Sequence, residues 1–250
     1  MGKIIAIGGG SIDRPGIKSE TIEIDREIIR LTGEKHPKLL FIPTASNDAY
    51  GYVESVKCYF GKKLGCKVDS LLLFKKKYSQ DELRKKIINS DIVYVGGGNT
   101  FKMMRAWRKF GVDLLLKRAY KKGVVLSGLS AGSICWFRYG NSDSARFGKN
   151  KQADMIRVKG IGILPALHCP HYNIEKHRSL SLKKMMKNLS GVAIAIDNCA
   201  AIEIVDNGYR ILKTKKSSKA YKVYWKKERY FREELPAQKV MLPVSNLFIK

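Results

Sequence analysis

The residues Gly128-Leu129-Ser130-Ala131-Gly132 form a G-x-S-x-G run. The apolar segment Gly123-Val124-Val125-Leu126 feeds into it, and Ser133-Ile134-Cys135-Trp136-Phe137 can continue from it as a helix. Strand, sharp turn of small residues and helix together make the setting of a nucleophile elbow, where a serine hydroxyl stands clear of the backbone. Backbone N–H groups just after the serine can then hold a developing oxyanion. A plain glycine-rich turn would use the same residues, and the flanking strand and helix patterns favour the nucleophile.

A serine hydroxyl is a weak nucleophile without a base. The chain holds four histidines. His36 precedes Pro37 in a polar loop and reads as a surface residue. His168 and His171 lie in Leu167-His168-Cys169-Pro170-His171-Tyr172-Asn173, behind the apolar run Ile163–Leu167, so a strand end would carry both towards the serine. His177 sits on the polar segment that follows. An acid must orient the imidazole and stabilise its charged form. Asp143 in Gly140-Asn141-Ser142-Asp143-Ser144, Glu175 just beyond His171, and Asp197 after the apolar run Gly191–Ile196 are the candidates. Each also suits a turn or a cap, and periodicity does not choose among them.

The elements that must position these residues follow a regular alternation. Apolar runs at Lys3–Ile7, Lys38–Ile42, Lys67–Phe74, Asp91–Val95 and Val124–Leu126 read as strands. Helical patterns fall between them at Glu20–Leu31, Tyr52–Leu64, Gln80–Ile88 (capped by Ser79) and Phe101–Lys122, the last broken near Gly111. Such alternation predicts an open, mostly parallel sheet covered by helices on both faces. Ligands of such sheets bind beyond the carboxyl ends of the strands. Gly8-Gly9-Gly10, Pro43-Thr44-Ala45-Ser46, Gly96-Gly97-Gly98-Asn99 and Ser130 all fall there. Gly8–Gly10 reads as a tight strand-to-helix turn. Gly96–Gly98 lacks both the Lys-Ser/Thr of a P-loop and the G-x-G-x-x-G spacing. From Ala201 onward the pattern changes to short strands and tight turns, at Asp206-Asn207-Gly208 and Lys226-Lys227. One domain over residues 1–250 is expected, with an α/β core at 1–205 and a hairpin-rich extension at 206–250.

The 250 residues can bury a full core, and 44% of them are hydrophobic. No apolar run approaches the roughly 20 residues of a membrane span, and the N-terminal segment lacks the pattern of a signal peptide. The five cysteines form no C-x-x-C pair, which argues for buried thiols in a reducing compartment. A cytoplasmic protein without a membrane partner is the expectation. Lys and Arg number 48 against 22 Asp and Glu, a net charge of +26. The lysines are scattered in short clusters with no nucleic-acid motif. A lysine-rich solvated surface that draws in anionic substrates is therefore favoured over nucleic-acid binding.

Chain order prunes the folds that carry such an elbow. An α/β-hydrolase places its histidine last, well after the serine and the acid. Here His177 is the last histidine and 73 residues follow it. A glutaminase-like fold with serine in place of cysteine suits the order better.

Four segments together resemble the peptidase E family, family S51, which also includes cyanophycinases. They are Phe41-Ile42-Pro43-Thr44-Ala45-Ser46, Val95-Gly96-Gly97-Gly98-Asn99-Thr100, Gly128-Leu129-Ser130-Ala131-Gly132 and Cys169-Pro170-His171-Tyr172. The resemblance spans about residues 1–205. It implies a three-layer α/β sandwich with a mostly parallel central sheet, like that of class I glutamine amidotransferases. It also implies Ser130 as nucleophile, His171 as base, and an acid shortly after the serine, which points to Asp143. Gly98 and Ala131, with Gly97 close by, would supply the oxyanion hole. Asn99, Thr100 and Arg138 are candidates for binding substrate. No metal or organic cofactor is implied.

Peptidase E members cleave dipeptides with an N-terminal aspartate. This chain differs from that branch in the bulky segment Ile134-Cys135-Trp136-Phe137-Arg138-Tyr139 and in its terminal hairpins. Arg138, Arg146 or Arg178 could pair with a substrate carboxylate. A serine peptidase of short peptides, working through an acyl-enzyme, is the expected function. The alternative is an amidase, an esterase or an inactive ligand-binding member of the same fold.

Overall fold

A computed structural model describes residues 2–13, 16–174 and 176–249. Five parallel strands organise the first half: β1 (Lys3–Ile7), β2 (Lys38–Ile42), β3 (Lys67–Ser70), β4 (Ile92–Val95) and β5 (Val125–Leu129), in spatial order β1-β5-β4-β2-β3. Parallel neighbours need crossovers. Helices α1 (Ile22–Arg30), α2 (Tyr50–Val56), α3 (Gln80–Ile88), α4 (Thr100–Phe110) and α5 (Val112–Lys121) supply them. Alternate residues of β1 enter different cores: Ile4 and Ala6 one, Ile5 and Ile7 the other. That two-sided burial is why the strand reads as unbroken apolar sequence.

The helix boundaries follow local chemistry. Ser79 and Glu82 form a reciprocal capping box at α3. Gly111, at φ 73°, ends α4 and begins α5. Beyond α2 the chain continues as a π-helix over Lys57–Lys63. The strand expected over Lys67–Phe74 stops at Ser70. Farther on, Asp48 accepts the N–H of Phe74 at 2.6 Å and ties that segment to the turn after β2.

The second half builds a second sheet, which the alternation did not reveal. The short helix α6 (Ala131–Ile134) gives way to β6 (Phe137–Ser142), β7 (Ile156–Lys159) and β8 (Leu164–Cys169). Helix α7 (Lys176–Lys187) then leads to β9 (Ala193–Ile196). The helix expected to run on to Phe137 ends early because Trp136 and Phe137 are fully buried and Phe137 opens a strand parallel to β8. Strands β10 (Ala200–Val205) and β11 (Gly208–Lys213) return antiparallel to the edge of the first sheet beside β1. β12 (Ala220–Lys226) and β13 (Arg229–Leu235) extend the second sheet beside β9, and β14 (Leu242–Pro243) pairs with β11, followed by α8 (Ser245–Phe248). The first sheet thus has eight strands and the second six, and the C-terminal segment divides between them. Among the described residues no helix is long and apolar enough to cross a membrane.

Candidate active site

Ser130 leaves β5 with φ 56° and ψ −116°, a left-handed conformation that costs a serine on the order of 1–3 kcal/mol. Its surroundings hold it there. Its N–H donates to the carbonyl of Ile7 at 3.3 Å, and its own carbonyl accepts the N–H groups of Ser133 and Ile134, both at 3.0 Å. Both glycines of the run are required by close approach. A Cβ on Gly128 would lie 2.6 Å from the carbonyl oxygens of Val95 and Gly132, and one on Gly132 would overlap the carbonyl of Val95. The turn is pressed against the end of β4, and Ser130 stays half-exposed.

His171 lies just past the end of β8 and also has a left-handed φ, 55°. Its N–H donates to the carbonyl of Gly8 at 2.9 Å. Ser130 and His171 therefore hang from consecutive carbonyls, Ile7 and Gly8, at the end of β1. The ring Nδ1 of His171 is 2.6 Å from Oδ1 of Asn198, which follows β9. An amide oxygen only accepts, so Nδ1 carries the proton and Nε2 is left as the basic nitrogen. Gly9 backs this pair: a Cβ there would overlap both His171 Nδ1 and Asn198 Oδ1. Gly8–Gly10 is thus more than the strand-to-helix turn expected from sequence. The sequence gives no sign of the role of Gly9 or of Asn198, because neither three glycines nor an Asp-Asn turn signals a histidine brought in from elsewhere.

The loop after β4 borders the serine. A Cβ on Gly97 would come within 3.4 Å of Ser130 Cβ. The Gly97 N–H is directed to the hydroxyl of Tyr52 at 3.4 Å. Gly98 has φ 135°, and a side chain there would overlap the carbonyl of Ala45. Among the described residues none accepts from the N–H of Gly98 or Ala131. The next two positions serve the loop itself. Asn99 caps α4 by accepting the Lys102 N–H at 2.9 Å, and Thr100 is buried, its hydroxyl 3.2 Å from Ser142 Oγ. Thr100 is thus turned inward, while Asn99 stays half-exposed beside the glycine loop.

The acids fall elsewhere. Asp143 pairs with buried Arg178 at 3.7 Å, its one side-chain partner among the described residues. Asp197 accepts the N–H of Lys219 at 2.8 Å, and burial pushes its carboxyl pKa up. Glu175 lies outside the described residues. On Nδ1 of His171 the structure places an amide where Asp143 was expected, because the turn after β9, not the loop after β6, arrives beside Gly9. His168 is fully buried in β8, and desolvation pushes its pKa down to about 3, so it stays neutral. His36 bonds the carbonyl of Gly65 on the surface.

Arg138 is exposed on β6, while Arg146 and His177 line a cavity of about 890 Å³ with Lys151 and Lys184. Among the described residues no group of three His, Cys, Asp or Glu side chains could hold a metal.

An elbow serine, a histidine and a glycine loop at the carboxyl end of a parallel sheet are the parts of a hydrolase. The family model of peptidase family S51 matches residues 4–212. The chain belongs to peptidase family S51. This S51 peptidase is 33% identical to the uncharacterized peptidase YgaJ of Bacillus subtilis strain 168 over 241 residues, which is 95% of this chain and 99% of that one. Its fold is like that of a crystallised peptidase from an acI-B1 actinobacterium, with a TM-score of 0.72 at 17% identity over 97% and 96% of the two chains. A peptidase E protein from Listeria monocytogenes EGD-e superimposes with a TM-score of 0.64 at 22% identity, over 85% of this chain and 98% of that one. The protein is a hydrolase of peptide bonds with the amidotransferase-like fold of peptidase E.

Proposed function

We propose that this S51 peptidase is a serine peptidase that cleaves short peptides through an acyl-enzyme. The observation that carries the reading is the suspension of Ser130 and His171 from the adjacent carbonyls of Ile7 and Gly8. Ser130 Oγ attacks the scissile carbonyl carbon while Nε2 of His171 takes its proton. The carbonyl oxygen becomes an oxyanion beside the N–H groups of Gly98 and Ala131. Collapse breaks the C–N bond, and the imidazolium returns the proton to the leaving amine. Water then attacks the ester, with His171 again as base, and Ser130 is released. Asn198 holds the ring in the tautomer that leaves Nε2 without a proton.

Dipeptides with an acidic N-terminal residue are the substrate class we favour. The net charge of +26 supports this, because it draws anionic substrates to the protein. The test is a dipeptide and isopeptide panel incubated with the wild type and with Ser130→Ala. The variant should melt like the wild type and release no product. Undiminished hydrolysis by Ser130→Ala removes the nucleophile from the scheme.

A further inference from the structure

Three short contacts line up behind the nucleophile turn. Nδ1 of His168 is 2.9 Å from the carbonyl oxygen of Ile194. Its Nε2 is 2.9 Å from Ser133 Oγ. Ser133 Oγ is in turn 2.7 Å from the carbonyl oxygen of Ser130. His168 and Ser133 are fully buried, and the imidazole stacks on Phe137 with 4.6 Å between ring centroids.

Each contact needs one proton, and the two carbonyls can only accept. A neutral imidazole and a hydroxyl bring two protons to three contacts. The ring therefore governs where the Ser133 proton goes. With hydrogen on Nε2, Ser133 donates to Ser130. With hydrogen on Nδ1, Ile194 is satisfied and the one Ser133 proton has two acceptors to choose between, the ring and the Ser130 carbonyl at 2.7 Å.

The Ser130 carbonyl matters because it shares a planar, trans peptide unit with the N–H of Ala131. The two bonds point in opposite directions from one plane. Fixing the carbonyl therefore aims the N–H.

We propose that His168 and Ser133 are positioning residues for the oxyanion donor: the Ser133 hydroxyl adds to the Ser133 and Ile134 N–H groups that hold the Ser130 carbonyl, and so helps direct the Ala131 N–H at the reacting carbonyl oxygen. This rests on Ser130 as the nucleophile. The residues touch no substrate. Their effect is felt as charge develops on that oxygen, so it belongs in kcat and not in KM.

The test compares Ser133→Ala, His168→Leu, His168→Gln and the double variant Ser133→Ala/His168→Leu with the wild type. Two rates are measured on folded protein: turnover of a cleaved dipeptide, and covalent labelling of Ser130 by a fluorophosphonate, located by mass spectrometry. Leu fills the ring's volume without polar atoms, whereas Gln keeps an N–H for Ser133. Ser133→Ala and His168→Leu should each lose about tenfold or more in kcat and in labelling rate, with KM within about threefold. The double variant should be no worse than the poorer single one, since both act through one contact. His168→Gln should keep at least about a third of the wild-type rate.

Ser133→Ala at the wild-type rate overturns the proposal, even if His168→Leu fails to fold. So do losses confined to KM, losses that multiply in the double variant, or a Gln variant as poor as Leu. Folded wild type that the reagent leaves unlabelled at Ser130 overturns the nucleophile reading and this proposal with it. Labelled wild type with undiminished variants overturns this proposal alone.

Discussion

Nδ1 of His171 faces an amide oxygen, Oδ1 of Asn198, at 2.6 Å. An amide can fix the tautomer and orientation of an imidazole, as in Cys-His-Asn sites, but brings no negative charge to stabilise the imidazolium. Asn198→Ala should therefore lower kcat by about tenfold or more through loss of orientation. Asn198→Asp should keep the orientation and add a charge that raises the histidine pKa. The acidic limb of its pH–rate profile should move to higher pH. Stopped-assay kinetics across pH check both, and an unshifted limb in a folded Asn198→Asp enzyme contradicts this role.

Gly9→Ala should damage activity far more than stability. The added methyl would push on both His171 and Asn198. A displacement of about 1 Å at a reacting group can cost on the order of a hundredfold in rate. Circular dichroism melts beside kcat measurements separate the two effects; wild-type turnover in the variant would show that nothing near the base had moved.

Asp143→Asn should do the reverse. Asp143 faces Arg178, which is 2% exposed and also donates to the carbonyl of Asn141 at 3.2 Å. Removing the charge takes one ion-pair contact from a buried guanidinium, at a cost of about 1 kcal/mol for a pair that is open to solvent on one side. Turnover per folded molecule should stay within about threefold of the wild type. A large loss of kcat at matched stability would return Asp143 to the catalytic group.

A buried carboxyl predicts a pH dependence of stability away from the site. Asp25 accepts hydrogen bonds from Tyr59 at 2.7 Å and Thr21 at 2.8 Å, and burial raises its pKa from 3.8 to about 7. Below about pH 4 it is protonated whether the chain is folded or not. Between about pH 4 and 7 the unfolded chain has lost that proton and the folded one has kept it. Stability therefore falls as pH rises through this window, by at most about 4 kcal/mol. Melting temperatures from pH 5 to 8 should drop more steeply for the wild type than for Asp25→Asn, and parallel curves would assign the dependence elsewhere.

The parallel sheet was legible because β1, β2 and β4 are apolar runs closed by glycine or proline. β1, β2 and α3 fall on the residues expected. Ser130 was legible for the same reason, since its two glycines are needed against Val95 whatever the rest of the chain does. The second sheet was hidden because β6 pairs with both β7 and β8 across loops and a short 3₁₀ turn, which mark no strand–helix alternation. His168 and His171 could not be separated by pattern. Pro170 stands between them, and that break is the signal: the residue before it stays in the strand and the residue after it leaves. Asn198 gave no sign, because an asparagine in a turn looks the same whether it bonds its own backbone or a histidine from another strand.

The seam between the sheets has a consequence for the birth of the protein. Ser130 and the glycine loop belong to strands made early. His171 and Asn198 sit on the second sheet, where Ala220 of β12 pairs with Ile196 and the backbone of Lys219 bonds Asp197, next to Asn198. A ribosome thus releases Ser130, the proposed nucleophile, long before β12, which pairs beside the turn that carries Asn198. On the proposed mechanism, the growing chain gains its peptidase activity only once β12 has emerged.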